Sequence, residues 1–278
     1  MREAQAIAAH SLAVCRRQYL VWRNVIWSSM TTNVVSPLLF LYAFGFGLGA
    51  VIDDMGGLSY LAFVVPGMMA YSAMFAASFE TTIGSYARFN LQHTWDAVLA
   101  TPVRLTELLL GELLWAACKA MISSVCVLVV GAAWGGVGSL GGALASLPLI
   151  FVASCCFAAC GLAATAHARS WEFFSYFFTF WVTPMFIFSG VFFSVDRFPD
   201  YVEPVTWILP MTHVIELVRP LTSGQSLALG ALLVHLGYLV AAFEVCGYRP
   251  RDEDIYVMYG QPGRMIGRFT LHDDRMLF

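Results

Sequence analysis

Several apolar runs of about 20 residues constrain this chain more than any other feature of its sequence, because a helix of that length crosses a lipid bilayer. Charged residues make up only 12% of the chain, whereas ordinary soluble domains contain about 25%. Backbone polar groups inside a membrane must be satisfied within the protein, and a helix satisfies them within one segment. The sequence therefore predicts an all-α integral membrane protein that crosses the membrane several times.

Six of these runs are predicted to be transmembrane helices. They cover residues 25–48, 60–83, 108–134, 143–167, 173–193 and 227–243. Pro37 lies in the middle of the first run and predicts a kink there. Residues 1–23 combine apolar side chains at helical spacing with four arginines, a pattern typical of an amphipathic helix that lies at a membrane surface. A plain cytosolic tail is the alternative for these residues.

Arginine positions predict the orientation, because cytoplasmic loops carry an excess of basic residues. Twelve arginines lie before the first span, in the second and fourth loops, or in the tail. Only Arg197 and Arg219 lie between the fifth and sixth spans. Six spans place both termini on one side, so both termini are predicted to be cytoplasmic.

Segment 189–224, between the last two spans, is cut by prolines at positions 199, 204, 210 and 220. These leave two short helices, predicted over residues 200–209 and 211–219. At about 1.5 Å per residue, each reaches only about half of the ~30 Å hydrocarbon core. Irregular backbone at membrane depth must be buried in protein or line a wet cavity. We therefore predict a re-entrant helical hairpin that enters from the outer face, with Glu216 and Arg219 close enough to pair.

Loop 84–107, between the second and third spans, is predicted to hold a short amphipathic helix that faces the cytoplasm. Thr94 is suited to cap this helix, and Asp96 in its first turn favours the helix dipole. Pro102 is then predicted at the first position of the following helix. The segment is either a plain connector or a protrusion that docks on a partner and transmits its motion.

Neither a nucleotide site nor a metal site is predicted. The glycine-rich stretch 135–142 lacks the G-x-x-x-x-G-K-[ST] pattern of a phosphate-binding loop, and no other stretch supplies it. We therefore expect that the chain alone does not hydrolyse ATP. The cysteines at 155, 156 and 160 have no histidine at ligand spacing, so a packing role is predicted for them.

Three ionisable residues, Glu80, Glu112 and Lys119, lie inside the predicted second and third spans. Glu112 and Lys119 share one face of their helix. An ionisable side chain inside a membrane is costly and indicates either function or pairing. Two interpretations stay open: a structural or interfacial role, in which Glu80 and Glu112 reach the cytoplasmic interface and Lys119 extends towards it, and contact with the polar head group of a cargo.

Two stretches carry a resemblance to a known family. The run 94–102, TWDAVLATP, is similar to a segment of the permeases of type-2 ABC exporters. The outer segment is similar at Ser189–Phe193, Phe198-Pro199, Leu209–His213 and Glu216–Arg219. With the six spans, the resemblance covers about residues 1–245. Within the family, the overall likeness favours the nodulation-type permeases, which export lipo-oligosaccharide signals.

This resemblance implies a homodimer in the bacterial inner membrane that moves an amphiphilic saccharide between its two copies. Two copies of a separate ATPase would bind ATP and magnesium, while this chain would contact membrane lipids and bind no cofactor and no nucleic acid. The residues implied to face the ATPase are Thr94, Trp95, Asp96, Thr101 and Pro102. The residues implied to form a gate at the exit, on the outer hairpin, are Phe198, Pro199, Pro210, His213, Glu216 and Arg219.

The end of the chain departs from the family pattern. The last apolar run is predicted to break at Glu244, and the residues after it show no periodic apolar face. We divide the chain into a transmembrane domain, 1–246, and a polar cytoplasmic tail, 247–278, which is either disordered or the product of a changed reading frame. A drug or a surface polysaccharide is the alternative cargo within the family. An ion-coupled secondary transporter is the alternative from another class, although no inverted repeat is evident.

Overall fold

A computed structural model describes residues 2–52 and 54–246, which form helices and turns without any strand. The α-helices in chain order are α1 Arg2–Trp22, α2 Ile26–Met30, α3 Ser36–Tyr42, α4 Tyr60–Phe79, α5 Thr94–Leu99, α6 Leu105–Ala133, α7 Leu140–His167, α8 Glu172–Phe177, α9 Thr183–Phe188, α10 Glu203–Thr206, α11 Pro210–Ser223 and α12 Leu229–Cys246. Short 3-10 or π-helical stretches join several of these into longer helices. The all-α fold class is confirmed for the described residues.

Within residues 2–52 and 54–246, three helices are long and apolar enough to cross a membrane: Tyr60–Leu91, Leu105–Ala133 and Leu140–His167. They coincide with the second, third and fourth predicted spans. Shorter apolar helices, Ser36–Leu48, Glu172–Phe188 and Leu229–Val245, lie where the first, fifth and sixth spans are predicted. The number of membrane crossings stays a prediction.

The first apolar helix leaves α-helical geometry close to Pro37, where the sequence predicts a kink. A π-helical stretch, Thr31–Val35, precedes α3, and Pro37 lies in the first turn of α3. Proline cannot donate a backbone hydrogen bond, and its ring clashes with the preceding turn. A wider π turn relieves this conflict without ending the helix.

At the centre of the molecule, α4 packs against α6, α7 and α11, and nearly all of its side chains are buried. Small residues let the helix backbones approach closely. A Cβ atom added at Gly161 of α7 would lie 2.1 Å from the Thr81 hydroxyl oxygen. The nearby Thr165 hydroxyl donates to the Thr81 carbonyl at 2.7 Å. Close contact of this kind, together with hydrogen bonds between helices, holds helices together where no water drives association.

The predicted amphipathic helix is confirmed as α1, which packs against α6. Its contacts advance together along both helices, from His10 with Glu107 to Trp22 with Trp115, so α1 runs parallel to the first half of α6. Between these ends, a Cβ atom at Gly111 would lie 2.6 Å from the Val14 Cβ atom. The position of α1 relative to a membrane surface stays a prediction.

The outer segment contains one substantial helix, α11, instead of two similar ones. The predicted helix 200–209 is wrong, because only the four residues of α10 are α-helical there. Leu209 precedes Pro210 and takes an extended conformation, as the proline ring favours, which ends the helical region after a single turn. The predicted helix 211–219 is confirmed and is longer at both ends, since α11 continues to a left-handed Gly224.

The break of the sixth apolar run at Glu244 does not end the helix, because α12 continues through this residue to Cys246. A helix tolerates a carboxylate at an exposed position near its end, and Glu244 is exposed. The polar tail predicted over residues 247–278 lies outside the described residues.

Candidate functional site

The helix that begins at Tyr60 does not end at Gly84, where the sequence predicts a loop. It continues through two π-helical stretches, Glu80–Gly84 and Ala87–Leu91. The predicted loop boundary is therefore wrong by about two helical turns. Arg88 lies in this extension, and its side chain turns into the protein and binds two buried carboxylates.

Four ionisable side chains form a buried group that we call the charge cluster: Glu80, Arg88, Glu112 and Lys119. Arg88 Nη1 donates to Glu80 Oε1 at 2.7 Å, and Arg88 Nε donates to Glu112 Oε1 at 3.1 Å. Lys119 Nζ donates to Glu80 Oε2 at 2.6 Å. Two acids and two bases alternate, so the cluster carries no net charge when all four are ionised.

Neutral donors complete the hydrogen bonding of both carboxylates. Glu112 also accepts from Gln18 Nε2 at 2.6 Å, from the Ser85 hydroxyl at 3.0 Å and from Trp95 Nε1 at 3.3 Å. Glu80 accepts from Trp115 Nε1 at 3.2 Å. A buried ion pair costs several kcal/mol of desolvation per ion unless its remaining polar atoms are also satisfied. Glu112 therefore links α1, the end of the helix 60–91, α5 and α6 at one point.

The three ionisable residues singled out from the sequence meet in this cluster. The interfacial explanation for Glu80 and Glu112 and the snorkelling explanation for Lys119 are wrong, because each side chain is buried and paired. Sequence reasoning missed Arg88, which lies two helical turns after Glu80 and faces the same side only if the helix continues past Gly84. It also missed Gln18 and Trp115, which carry no such signal.

Trp95 attaches the short helix α5 to the charge cluster. Its side chain is only 1% exposed, its ring packs 5.5 Å from that of Phe89, and its indole N–H reaches Glu112. Thr101 and Pro102 are exposed, while Thr94 and Asp96 are half-buried. Trp95 therefore points inward, and the surface of this segment is formed by its neighbours.

Two details of the segment differ from the sequence prediction. Thr94 does not cap α5; the capping position is His93, which has φ +50° and makes no capping bond through its side chain. Its ring instead lies 3.0 Å from Asp96 Oδ2, in the predicted first turn. Pro102 does not begin the next helix, because α6 begins at Leu105, where Glu107 accepts from the Arg104 backbone N–H at 2.8 Å and provides a better start.

On the outer segment, His213 joins α11 to α12. Its Nδ1 lies 2.8 Å from Nδ1 of His235, and its Nε2 lies 2.9 Å from the Trp207 carbonyl oxygen. Since a carbonyl only accepts, His213 Nε2 carries the proton, and His235 donates to His213 Nδ1. Burial lowers the pKa of His213 and favours this neutral form. The Tyr238 ring stacks on His213 at 3.8 Å.

Other outer residues take positions that the sequence did not predict. Arg219 donates to the Gly190 carbonyl and lies 3.8 Å over the Phe63 ring. Glu216 and Arg219 do not form a close ion pair among the described residues, although the charge of Glu216 acts on Arg219. The cation–π contact and the carbonyl take its place. Phe198 packs 6.0 Å from Phe188, and Pro210 is the first residue of α11. The Pro199 carbonyl accepts from the backbone N–H of Val202 at 2.7 Å.

Two cavities adjoin these elements. A cleft of about 280 Å³ lies between the α1–α2 region and the charge cluster, with Trp22, Phe79 and Trp115 in its walls. A second, apolar cavity of about 270 Å³ lies between α4 and the helix 172–188. Among the described residues, no three His, Cys, Asp or Glu side chains are arranged to hold a metal ion.

Residues 11–221 match the family model described as "ABC-2 type transporter". The chain belongs to this family. The resemblance seen in the sequence is thereby confirmed. The matched region contains α5, the charge cluster and α11, and so nearly every candidate residue.

Curated relatives support the same assignment. "Nodulation protein J" of Rhizobium meliloti (strain 1021) is 39% identical over 237 residues, which cover 85% of this chain and 87% of the relative. "Nodulation protein J" of Rhizobium leguminosarum bv. trifolii is 37% identical over 230 residues, covering 81% and 87%. "Inner membrane transport permease YadH" of Escherichia coli (strain K12) is 24% identical over 195 residues, covering 70% and 75%.

Members of this family are membrane components of ABC transporters, are not themselves catalytic and work with an ATPase partner. The permease is accordingly a membrane-embedded transport protein. Membership argues against the ion-coupled secondary transporter considered from the sequence.

Proposed function

We propose that this chain is the membrane subunit of an ATP-driven exporter that moves a lipo-oligosaccharide or a similar amphiphilic saccharide out of a bacterial cell. One observation carries the mechanism: Trp95 joins the α5 segment directly to a buried cluster that holds three other helices. The relatives named Nodulation protein J support the cargo class. Drug and surface-polysaccharide cargoes are tested by the same assay with other labelled substrates.

The proposed assembly has two copies of this chain and two copies of an ATPase in the inner membrane. Each copy crosses the membrane six times, with both termini in the cytoplasm and α1 at the inner interface. Segment 189–224 re-enters from the outer face. The arginine asymmetry and the 14-residue length of α11, which is too short to span, support this arrangement.

Transport would be driven by movement of the α5 segment. ATP and magnesium bind to the ATPase, whose closure pushes the exposed Thr101 and Pro102 and the half-buried Thr94 and Asp96. Because Trp95 is fixed to Glu112, the displacement reaches α6 and the helix 60–91 together. The helices then separate between the two copies, and the amphiphile leaves past the gate residues of the outer hairpin. No residue of this chain performs covalent chemistry in this proposal.

Reconstitution with the partner ATPase in proteoliposomes tests the proposal. Trp95→Phe keeps the buried ring and removes only the N–H that reaches Glu112. We expect ATP hydrolysis to persist while transport of a fluorescent acylated oligosaccharide falls about tenfold or more, since a hydrogen bond to a charged group contributes about 1.5–3 kcal/mol and about 1.4 kcal/mol corresponds to a factor of ten. Trp134→Phe, at the far end of α6, is the matched control and should transport normally. Transport without the ATPase, or ATP hydrolysis by the chain alone, would overturn the proposal.

A further inference from the structure

The cleft beside the charge cluster has two walls, and each carries a tryptophan. One wall comes from α1 and α2 and includes Trp22 and Ser28; the other comes from α4 and α6 and includes Phe79 and Trp115. The charge cluster closes its polar end. Aromatic surface with a few polar groups at one end is the usual composition of a small-molecule site.

Two hydrogen-bond donors at the cleft have capacity left over. Lys119 has three N–H groups, of which one binds Glu80, and the described residues supply no second acceptor. Trp22 is 8% exposed, and its indole N–H has no partner within the described part of the chain. Buried donors are nearly always satisfied in folded proteins. The Trp22 N–H therefore indicates an acceptor that comes from outside the chain, and Lys119 has further N–H groups that the same acceptor group can share.

Charge balance decides what kind of acceptor fits. Arg88 is held by Glu80 and Glu112, and Lys119 is held by Glu80, so the positive charges are already compensated. Glu80 is the carboxylate that lines the cleft beside Arg88 and Lys119, and a phosphate or carboxylate brought here would add negative charge to a cluster that is already neutral. A hydroxyl group can donate to Glu80 and accept from Lys119 or Trp22. The cleft therefore suits an uncharged, hydroxyl-rich group.

Size and surroundings define how much of a ligand the cleft can hold. Its volume of about 280 Å³ lies just below the range of about 300–1,000 Å³ for drug-sized ligands. A short saccharide portion fits such a space, whereas a whole amphiphile does not. Val21 and Val25 at the rim are exposed apolar side chains, and they offer a path for an acyl chain into the surrounding lipid.

We propose that this cleft binds the uncharged saccharide head group of an amphiphile, with Trp22 and Lys119 as hydrogen-bond donors. The inference deepens the proposed function and depends on it, because it assumes that the cargo is an amphiphilic saccharide. It adds a site within one copy of the chain, next to the cluster that receives the movement of α5. A bound head group would then be moved together with α6.

Photo-crosslinking of the full chain in phospholipid nanodiscs, without any ATPase, tests this site. The probe is an uncharged alkyl trisaccharide with a diazirine on its last sugar. The comparison probe carries a phosphate in place of the saccharide on the same alkyl chain. We expect the saccharide probe to label peptides that contain residues 18–29 and 115–119, excess unlabelled alkyl trisaccharide to displace it, and the phosphate probe to label them at least tenfold less.

Variants separate a specific site from general lipid contact. Trp22→Phe keeps the ring and removes the unpartnered N–H, so the affinity for the saccharide probe should fall about fivefold. Val25→Trp should fill the rim and abolish labelling without disturbing the buried cluster. Trp27→Phe, on the same helical region but 84% exposed, is the matched control and should bind normally. Labelling elsewhere, equal labelling by the phosphate probe, or affinities within twofold for both variants would overturn the assignment.

Because the assay contains no ATPase and measures no transport, its failure would leave the exporter proposal standing. Failure of the transport assay with intact head-group labelling would instead refute the coupling mechanism alone. The nanodiscs contain no glycolipid, so the added amphiphile is the only saccharide available to the cleft.

Discussion

At the scale of single residues, Glu112 is the group on which the charge cluster depends most. It is fully buried and accepts hydrogen bonds from four residues, one of which, Arg88, is also its ion-pair partner. Glu112→Gln would leave Arg88 and Lys119 with one carboxylate between them. Removing one partner of a buried ion pair costs about 3–5 kcal/mol. We expect a loss of this size in the free energy of unfolding, measured by reversible unfolding in mixed detergent micelles.

A double variant shows whether the loss comes from charge imbalance. Arg88→Gln with Glu112→Gln restores a neutral cluster and leaves the Glu80–Lys119 pair intact, so it should cost less than the sum of the single changes by about 0.5–3 kcal/mol. Glu172→Gln, at an exposed carboxylate, is the control and should change stability by about 0.5 kcal/mol or less. Additive losses would show that the residues do not act as a unit.

Residue roles were only partly predictable from the sequence. Glu80, Glu112 and Lys119 stand out because charge is rare in apolar runs, and the structure brings all three together. Arg88 is predicted in a loop because the second apolar run ends at Ile83. Trp95 was expected on a docking surface, since a six-residue helix has too few turns to reveal which face is buried. The positions of Arg88 and Trp95 both depend on which residues they contact in three dimensions, and no local sequence pattern encodes those contacts.

At the scale of elements, the contact of α1 with α6 depends on Gly111. A Cβ atom there would lie 2.6 Å from the Val14 Cβ atom and 2.8 Å from the Ser11 carbonyl oxygen. Gly111→Ala must push α1 away, and overpacking of this kind costs about 1–3 kcal/mol. We expect a lower thermal midpoint and faster proteolysis of residues 2–22.

A second glycine provides the matched control. Gly237 lies within α12, and a Cβ atom there meets no atom within 4 Å. Gly237→Ala should therefore leave the thermal midpoint unchanged or raise it, because alanine favours a helix over glycine. Equal effects of the two substitutions would refute the role of the α1–α6 contact.

The link between α11 and α12 is expected to weaken in acid. Protonation of His213 would place a proton on Nδ1, which now accepts from His235, so His235 would have to give up its Nδ1 proton and the buried His213 ring would carry a positive charge. Burial lowers the pKa of His213 most, and His235 lowers it further, whereas the negative charge of nearby Glu216 raises it. Because burial lowers the folded pKa, the stabilisation is complete above the unfolded value of about 6.5 and is lost as pH falls through the folded value.

Thermal midpoints recorded from pH 7.5 to pH 4.5 test this link. The wild-type midpoint should fall more steeply below pH 6 than that of His213→Gln, which cannot be protonated. His167→Gln, at an exposed histidine, should follow the wild type. Parallel profiles for wild type and His213→Gln would contradict the assignment.

The prolines predicted where helices begin and end better than they predicted which secondary structure lies between them. Pro210 begins α11, as its missing N–H and fixed φ favour at the first helical position. The same prolines suggested a helix over 200–209, but one turn is all that forms there. Apolar composition could not predict this, because it is equally consistent with the packed irregular backbone that the structure contains.

At the scale of the whole molecule, one helix decides the topology. Between Thr101 and Asp200 lie the two long helices α6 and α7 and the shorter apolar helix Glu172–Phe188. Two crossings would leave Thr101 and Asp200 on the same side of the membrane, whereas three would place them on opposite sides. The short helix is about 25 Å long against a core of about 30 Å, so local thinning or flanking side chains must cover the difference if it crosses.

Single cysteines at Thr101 and Asp200, in a chain whose native cysteines are replaced by alanine, test this topology. Both positions are exposed. We expect a membrane-impermeant maleimide to label Asp200→Cys in spheroplasts and to label Thr101→Cys only after permeabilisation, because the arginine asymmetry places Thr101 in the cytoplasm. Protection of both sites until permeabilisation would mean that the helix 172–188 does not cross. The segment 189–224 would then lie on the inner face, and α11 could not form a gate at the outer exit.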